Sequence, residues 1–166
     1  MVLRELSPLL PPRELETVRV AMDSVHRNQS AERVADVLGL TRPHLSECMK
    51  QVGLPSLGHF LLWTRLFHAG LWLEEPGRTG ESVARQLEYS SGAAFRRALK
   101  LYTGRTPTEV RFGGGFRLVF REFMARTGLR AYRKGKRGRP EELQSAQPGF
   151  PGTSSRTQGM PAVDPI

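Results

Sequence analysis

The chain has 166 residues, 39% of them apolar, which suffices for one core of ordinary size or for two small subdomains sharing a helix. Its formal charge of +9 favours a polyanionic partner, because clustered Lys and Arg release counterions from phosphates; membrane surfaces and acidic proteins stay open on charge alone. The single cysteine, Cys48, excludes an intrachain disulfide, suits a reducing cytoplasm and has no Cys or close His partner at ligand spacing, so no metal site or cofactor is expected.

The amino terminus, MVLRELSPLLPP, lacks the basic start, long apolar run and small-residue cleavage site of a signal peptide. Pro11-Pro12 suit a helix start, and Leu15, Val18, Val20, Met22 and Val25 predict a first helix ending near Asn28. Ser30 stands where an N-cap belongs, before a short helix with apolar positions Val34, Ala35, Val37 and Leu38, closed by Gly39. Thr41 caps the next helix, Arg42 to Val52, with Pro43 tolerated in its first turn. A long helix follows from about Leu57 to Glu74, stopped by Pro76-Gly77; His59, Arg65 and His68 interrupt its apolar run, so it reads as buried rather than membrane-spanning. Its Trp63, Phe67 and Trp72 read as core or semi-buried packing, and Arg65 as a residue that fixes the helix by pairing or capping. From Thr79 or Gly80 another short helix runs through Val83, Ala84 and Leu87, turns at Glu88-Tyr89-Ser90, and leads to a basic helix from Ser91 to about Tyr102. Thr106-Pro107 cap a further helix, Gly113-Gly114-Gly115 interrupt it, and Phe116–Arg126 resume. From Gly135 onward the composition is that of a disordered tail.

Charge is not spread evenly. Residues 1–90 hold 10 Lys and Arg against 11 Asp and Glu, residues 91–140 hold 14 against 2, and residues 141–166 hold 1 against 3. Any electrostatic footprint therefore lies in the 91–140 stretch.

Val34-Ala35-Asp36-Val37-Leu38-Gly39-Leu40-Thr41 overlays Val83-Ala84-Arg85-Gln86-Leu87-Glu88-Tyr89-Ser90 at an offset of 49 residues. Beyond it Leu45, Met49, Lys50 and Gly53 correspond to Phe95, Leu99, Lys100 and Gly104. Each copy is a helix, a tight turn and a second helix, with a small Ala where the two helices cross.

In these residues the chain resembles the DNA-binding domain of the AraC/XylS family of bacterial regulators, over roughly Val18 to Arg111. The resemblance is carried by Val34-Ala35, Leu38 to Thr41 and Leu45, then Phe60-Leu61, Arg65 and Ala69, and finally Val83-Ala84, Tyr89 to Ser91, Phe95, Lys100 and Gly104 to Arg111. It implies an all-α fold of two helix-turn-helix subdomains, at about 30–53 and 80–104, joined by a connecting helix at about 57–74. A tandem domain over 1–111 would then be followed by a basic helical extension over 112–134 and the tail over 135–166. In the family the two recognition helices enter successive major grooves about 34–36 Å apart. Departures fall at Glu88, where the family usually has Gly, at Gly92-Ala93-Ala94, at Glu47 in place of a common Arg, and in a first unit one residue short between Leu45 and Gly53.

Candidate DNA-binding residues are Arg42, His44 and Ser46 on the first recognition helix and Ser91, Arg96, Arg97 and Lys100 on the second. Arg97 corresponds to the family's common DNA-contacting arginine; Arg96 and Arg97 divide between base and phosphate in an unassigned order. Lys134 to Pro140 contains the Arg-Gly-Arg-Pro core of an AT-hook, so Arg137 and Arg139 read either as minor-groove contacts or as a general phosphate tether. No catalytic constellation is present, and Cys48 reads as a buried thiol. The expected function is a sequence-specific transcription regulator of the cytoplasm and nucleoid, acting as a monomer on double-stranded DNA, with RNA polymerase as an open further partner. The alternatives are a nucleoid-associated architectural protein and a protein-interaction module that modulates another regulator. No room remains for a separate ligand-sensing domain, so activity is set by abundance or by a sensor elsewhere, or the chain is an excised fragment.

Overall fold

The computed structural model describes residues 1–25 and 30–129. The expected disordered tail, with Arg137 and Arg139, lies outside the described residues, as does the expected end of the first long helix near Asn28. Every regular element among the described residues is helical: α1 (Val2–Leu6), α2 (Pro12–Val25), α3 (Ala31–Val37), α4 (Arg42–Gln51), α5 (Leu57–Glu74), α6 (Gly80–Gln86), α7 (Gly92–Thr103), α8 (Pro107–Phe112) and α9 (Gly115–Arg126).

Local chemistry sets most of these boundaries. The Ser30 hydroxyl accepts the Arg33 N–H at 3.3 Å, Thr41 that of His44 at 3.4 Å, and Ser91 that of Ala94 at 3.1 Å, each satisfying an otherwise orphaned donor in a first turn. Thr79 with Ser82, and Thr106 with Glu109, close reciprocal capping boxes. At the far end of α7, Gly104 takes the left-handed conformation (φ 71°) that a side chain would resist. The short α1 carries no cap signal in its sequence; it is held by burial of Val2 and Leu6 and packs on α2.

Helix α5 is the spine. It is apolar nearly all round because α2, α4, α6, α8 and α9 all pack against it. Phe60, Trp63 and Phe67 surround the Phe123 ring of α9, with centroids 6.0, 5.3 and 5.3 Å away, in the edge-on geometry that aromatic quadrupoles favour. Trp63 also meets Tyr102 of α7 edge-on at 5.3 Å, so one side chain joins the spine to the second unit. Phe116, Leu118, Val119, Phe123 and Met124 of α9 are buried, while Arg117, Arg121 and Arg126 face solvent. The stretch read as a basic extension thus contributes a full apolar face to the core. One expectation for a packing residue differs: Val37 is 58% exposed, lying outside the α3 stripe formed by Val34 and Ala35, whereas Trp72 is partly buried against the core, within the semi-buried packing expected of it.

Candidate nucleic-acid interface

The two helix-turn-helix units superpose bond for bond through their turns. Leu40 N–H donates to the Ala35 carbonyl at 3.0 Å and Tyr89 N–H to the Ala84 carbonyl at 2.9 Å; both alanines are fully buried where the helices cross. Gly39 (φ 65°) and Glu88 (φ 58°) occupy the same left-handed position. Glu88 is the sole non-glycine residue there among the described residues, so the turn geometry prevails over the residue's own preference. The units diverge one step later: α4 is capped by Thr41 but α7 by Ser91, not by Ser90, so the second turn is one residue longer. The sequence overlay registers the same insertion, since its offset moves from 49 at Val34 and Val83 to 50 at Leu45 and Phe95.

On α7, Phe95 and Leu99 are buried on one face and Arg96, Arg97 and Lys100 are exposed on another, a division fixed by helical periodicity. Arg96 and Arg97 form no ion pair among the described residues, and Lys100 lies close enough to Glu109 to help lower its pKa. The principal cause of that lowering is the backbone N–H of Thr106, followed by its side chain. The amino end of α7 is not open: Glu81 of α6 sets its carboxylate against Gly92, where a Cβ would collide with it. A negative group thus already occupies the positive end of the helix dipole. Sequence reading missed Glu81, which as a first-turn acid of α6 resembles any other helix-start carboxylate.

The first unit presents less. Arg42 is exposed, but its guanidinium pairs with Glu32 at 2.7 Å. The Glu32 carboxyl is held below its usual range chiefly by its own backbone N–H and by Ser30, with Arg42 adding to this. Ser46 is partly buried, and its hydroxyl accepts the Leu57 N–H at 3.3 Å, which starts the spine helix; Ser56, the nominal cap of α5, makes no such bond. His44 is exposed on the same helix. Cys48 is half-buried with its Sγ 3.7 Å from His44 Nε2, which corrects the reading of a buried thiol without a histidine neighbour. The two residues lie four apart on α4, the spacing that brings side chains together on a helix.

Two long-range bonds hold this frame. Arg111 Nε donates to the Leu73 carbonyl at 2.8 Å, satisfying an orphan acceptor at the end of α5 with a cation. Gly128 N–H donates to the Gly53 carbonyl at 3.0 Å, tying the chain after α9 to the turn after α4. Among the described residues no group of three or more His, Cys, Asp or Glu could hold a metal ion, and no helix is long and apolar enough to cross a membrane.

Two short helix pairs of matching geometry, joined by a long spine, define a tandem helix-turn-helix module. Residues 34–112 match the family model described as a helix-turn-helix domain, and this stretch is a helix-turn-helix domain of the AraC type. Similar proteins include uncharacterized HTH-type transcriptional regulators of Staphylococcus aureus strains COL, MSSA476 and N315, each 33% identical over 86 residues. The aligned stretch is 52% of this chain and 12% of each of those relatives. No solved structure matches the chain.

Proposed function

We propose that this chain is a transcription regulator that binds double-stranded DNA in a sequence-specific way, with α7 as the principal reading helix and α4 in a supporting role. The observation that carries the reading is the presentation of Arg96 and Arg97 on the exposed face of a capped helix, without an ion pair among the described residues. An unpaired guanidinium on a rigid helix can bond guanine O6 and N7 together or clamp a phosphate. Lys100, one turn on, adds charge for the backbone, while Ser91, whose oxygen accepts the Ala94 N–H, has only its hydroxyl proton left to donate to a phosphate. Arg42, His44 and Ser46 stand at the corresponding end of α4, but the Glu32 pairing, the Cys48 contact and the Leu57 bond already engage all three. Arg137 and Arg139 supply further phosphate or minor-groove contacts from the tail. Two units in one chain do what a dimer of single units does, so a monomer suffices to span two half-sites. The regulators to which the chain is similar favour the same reading. The site belongs to the cytoplasmic nucleoid, and no catalytic step is assigned to it.

Selection of bound duplexes from a random pool tests this. A recovered motif, with affinity falling roughly 5- to 150-fold when Arg97→Ala removes ~1–3 kcal/mol of base discrimination, supports it. Uniform affinity across sequences with a steep salt slope favours the architectural alternative instead.

A second reading, contact with another protein such as RNA polymerase, is favoured by one observation: Phe112, at the end of α8, is 82% exposed. Under it Phe112→Ser leaves DNA affinity unchanged and weakens capture of RNA polymerase on the selected duplex.

A further inference from the structure

We infer that α9 and the residues just after it form a second tie between the two helix-turn-helix units, and that Gly53 and Gly128 are positioning residues that set which half-site spacing the protein accepts. This rests on the DNA-binding reading above and adds what fixes α4 relative to α7. A connecting helix alone leaves each unit on a hinge. Residues 52–56, between α4 and α5, are not helical, and rotation there would swing the first recognition helix while α7 stayed in place. The Ser46 bond to Leu57 N–H crosses this hinge, and α4 packs on α5. One base pair more or less between half-sites shifts them by about 3.4 Å and turns them by roughly 34° around the duplex, so a small hinge motion is enough to blur a spacing.

The tie is built from backbone contacts at both ends. At its start α9 is pressed onto the spine at Gly70, where a Cβ would stand 2.9 Å from the Phe116 nitrogen. Its 12 residues, at about 1.5 Å each, then run roughly 18 Å along α5 until Phe123 meets Phe60. On the way α9 packs against α7, whose Tyr102 also meets Trp63 of the spine edge-on at 5.3 Å. Beyond α9, Leu129 is fully buried, and Gly128 N–H donates to the Gly53 carbonyl at 3.0 Å. Gly53 closes α4: its own N–H bonds the Lys50 carbonyl at 2.9 Å, and it holds φ 82°. A Cβ on Gly53 would stand 2.5 Å from the Gly128 carbonyl carbon, so the two backbones meet only because no side chain lies between them. One element therefore flanks the second recognition helix and pins the carboxyl end of the first, inside the hinge itself. A frame ordered in this way before DNA arrives loses less freedom on binding the matching spacing and must be strained to bind any other.

The test uses the full chain and two variants that open the tie differently. Gly128→Pro removes the donor N–H and leaves Thr127, at φ −108° and ψ 156°, in the conformation that a following proline demands. Gly53→Ala instead forces the two backbones apart, and circular dichroism checks that each variant keeps the parent's helicity. Affinity is measured on a duplex recovered by selection, on the same duplex with one base pair added or removed between the half-sites, and on a duplex keeping only the half-site where Arg97→Ala relaxes specificity. The parent should prefer the selected spacing by roughly tenfold, and both variants should cut that preference to about threefold or less while binding the single half-site as the parent does. Should one variant fail to fold, the other decides. A spacing preference equal to the parent's, an equal loss on the single half-site, or a parent indifferent to spacing overturns the inference and leaves the regulator reading intact. A full chain that selects no motif defeats the regulator reading first, and this inference with it.

Discussion

Gly70 of the spine helix and Gly115 at the start of α9 meet backbone to backbone. A Cβ on Gly115 would lie 2.6 Å from the Gly70 carbonyl oxygen, and one on Gly70 would lie 2.9 Å from the Phe116 nitrogen. This approach lets Phe116 and Phe123 seat their rings against Phe67. The three-glycine run, a flexible break in the sequence, is therefore where α9 is pressed onto the spine.

Gly70→Ala is expected to destabilise the protein despite a helix-propensity gain of about 1 kcal/mol, because the added methyl meets backbone atoms that cannot rotate away. A net loss of about 1–3 kcal/mol should appear as a lowered urea midpoint. A midpoint at or above the parent value would show that α9 can shift without cost.

Glu88→Gly is expected to act in the opposite direction. Glu88 is exposed and holds φ 58° without packing to compensate, and glycine removes the left-handed penalty, for a gain of about 1 kcal/mol. Thermal denaturation monitored by circular dichroism checks this; an unchanged or lower Tm would mean that the turn imposes no strain on the glutamate.

Glu81→Gln should tighten DNA binding. The carboxylate over Gly92 opposes any phosphate approaching the amino end of α7, and the amide keeps its shape without the charge. Fluorescence anisotropy at two salt concentrations should give a gain of a few-fold at low salt that shrinks at high salt. A weakened complex would instead make Glu81 a positioning residue for α7.

Stability should fall as pH drops below about 6.5. Burial lowers the His59 pKa, so the unfolded chain binds its proton before the folded one does. This contribution is whole above the unfolded value and is lost as pH falls through the folded one. Glu16, Glu32 and Glu109, also lowered, act only in the more acidic carboxylate range. Urea midpoints at pH 7.5 and 5.5 should differ less in His59→Gln than in the parent; equal differences would assign the dependence to other groups.

What the sequence determined by itself is what near neighbours decide. Ser30, Thr41, Thr79 and Thr106 cap the helices expected of them because a cap is a bond between residues three apart. The repeat, the turns and the buried faces of α3, α4, α6 and α7 follow from periodicity in the same way. Tertiary structure alone decided that Arg42 turns to Glu32, that Ser46 serves α5, that Glu81 covers the start of α7, that α9 joins the core, and that Gly128 beyond it bonds Gly53. These pairings join residues from 10 to 75 positions apart. Which of several chemically suitable partners a side chain meets at such separations depends on how the helices pack, and no local pattern records that.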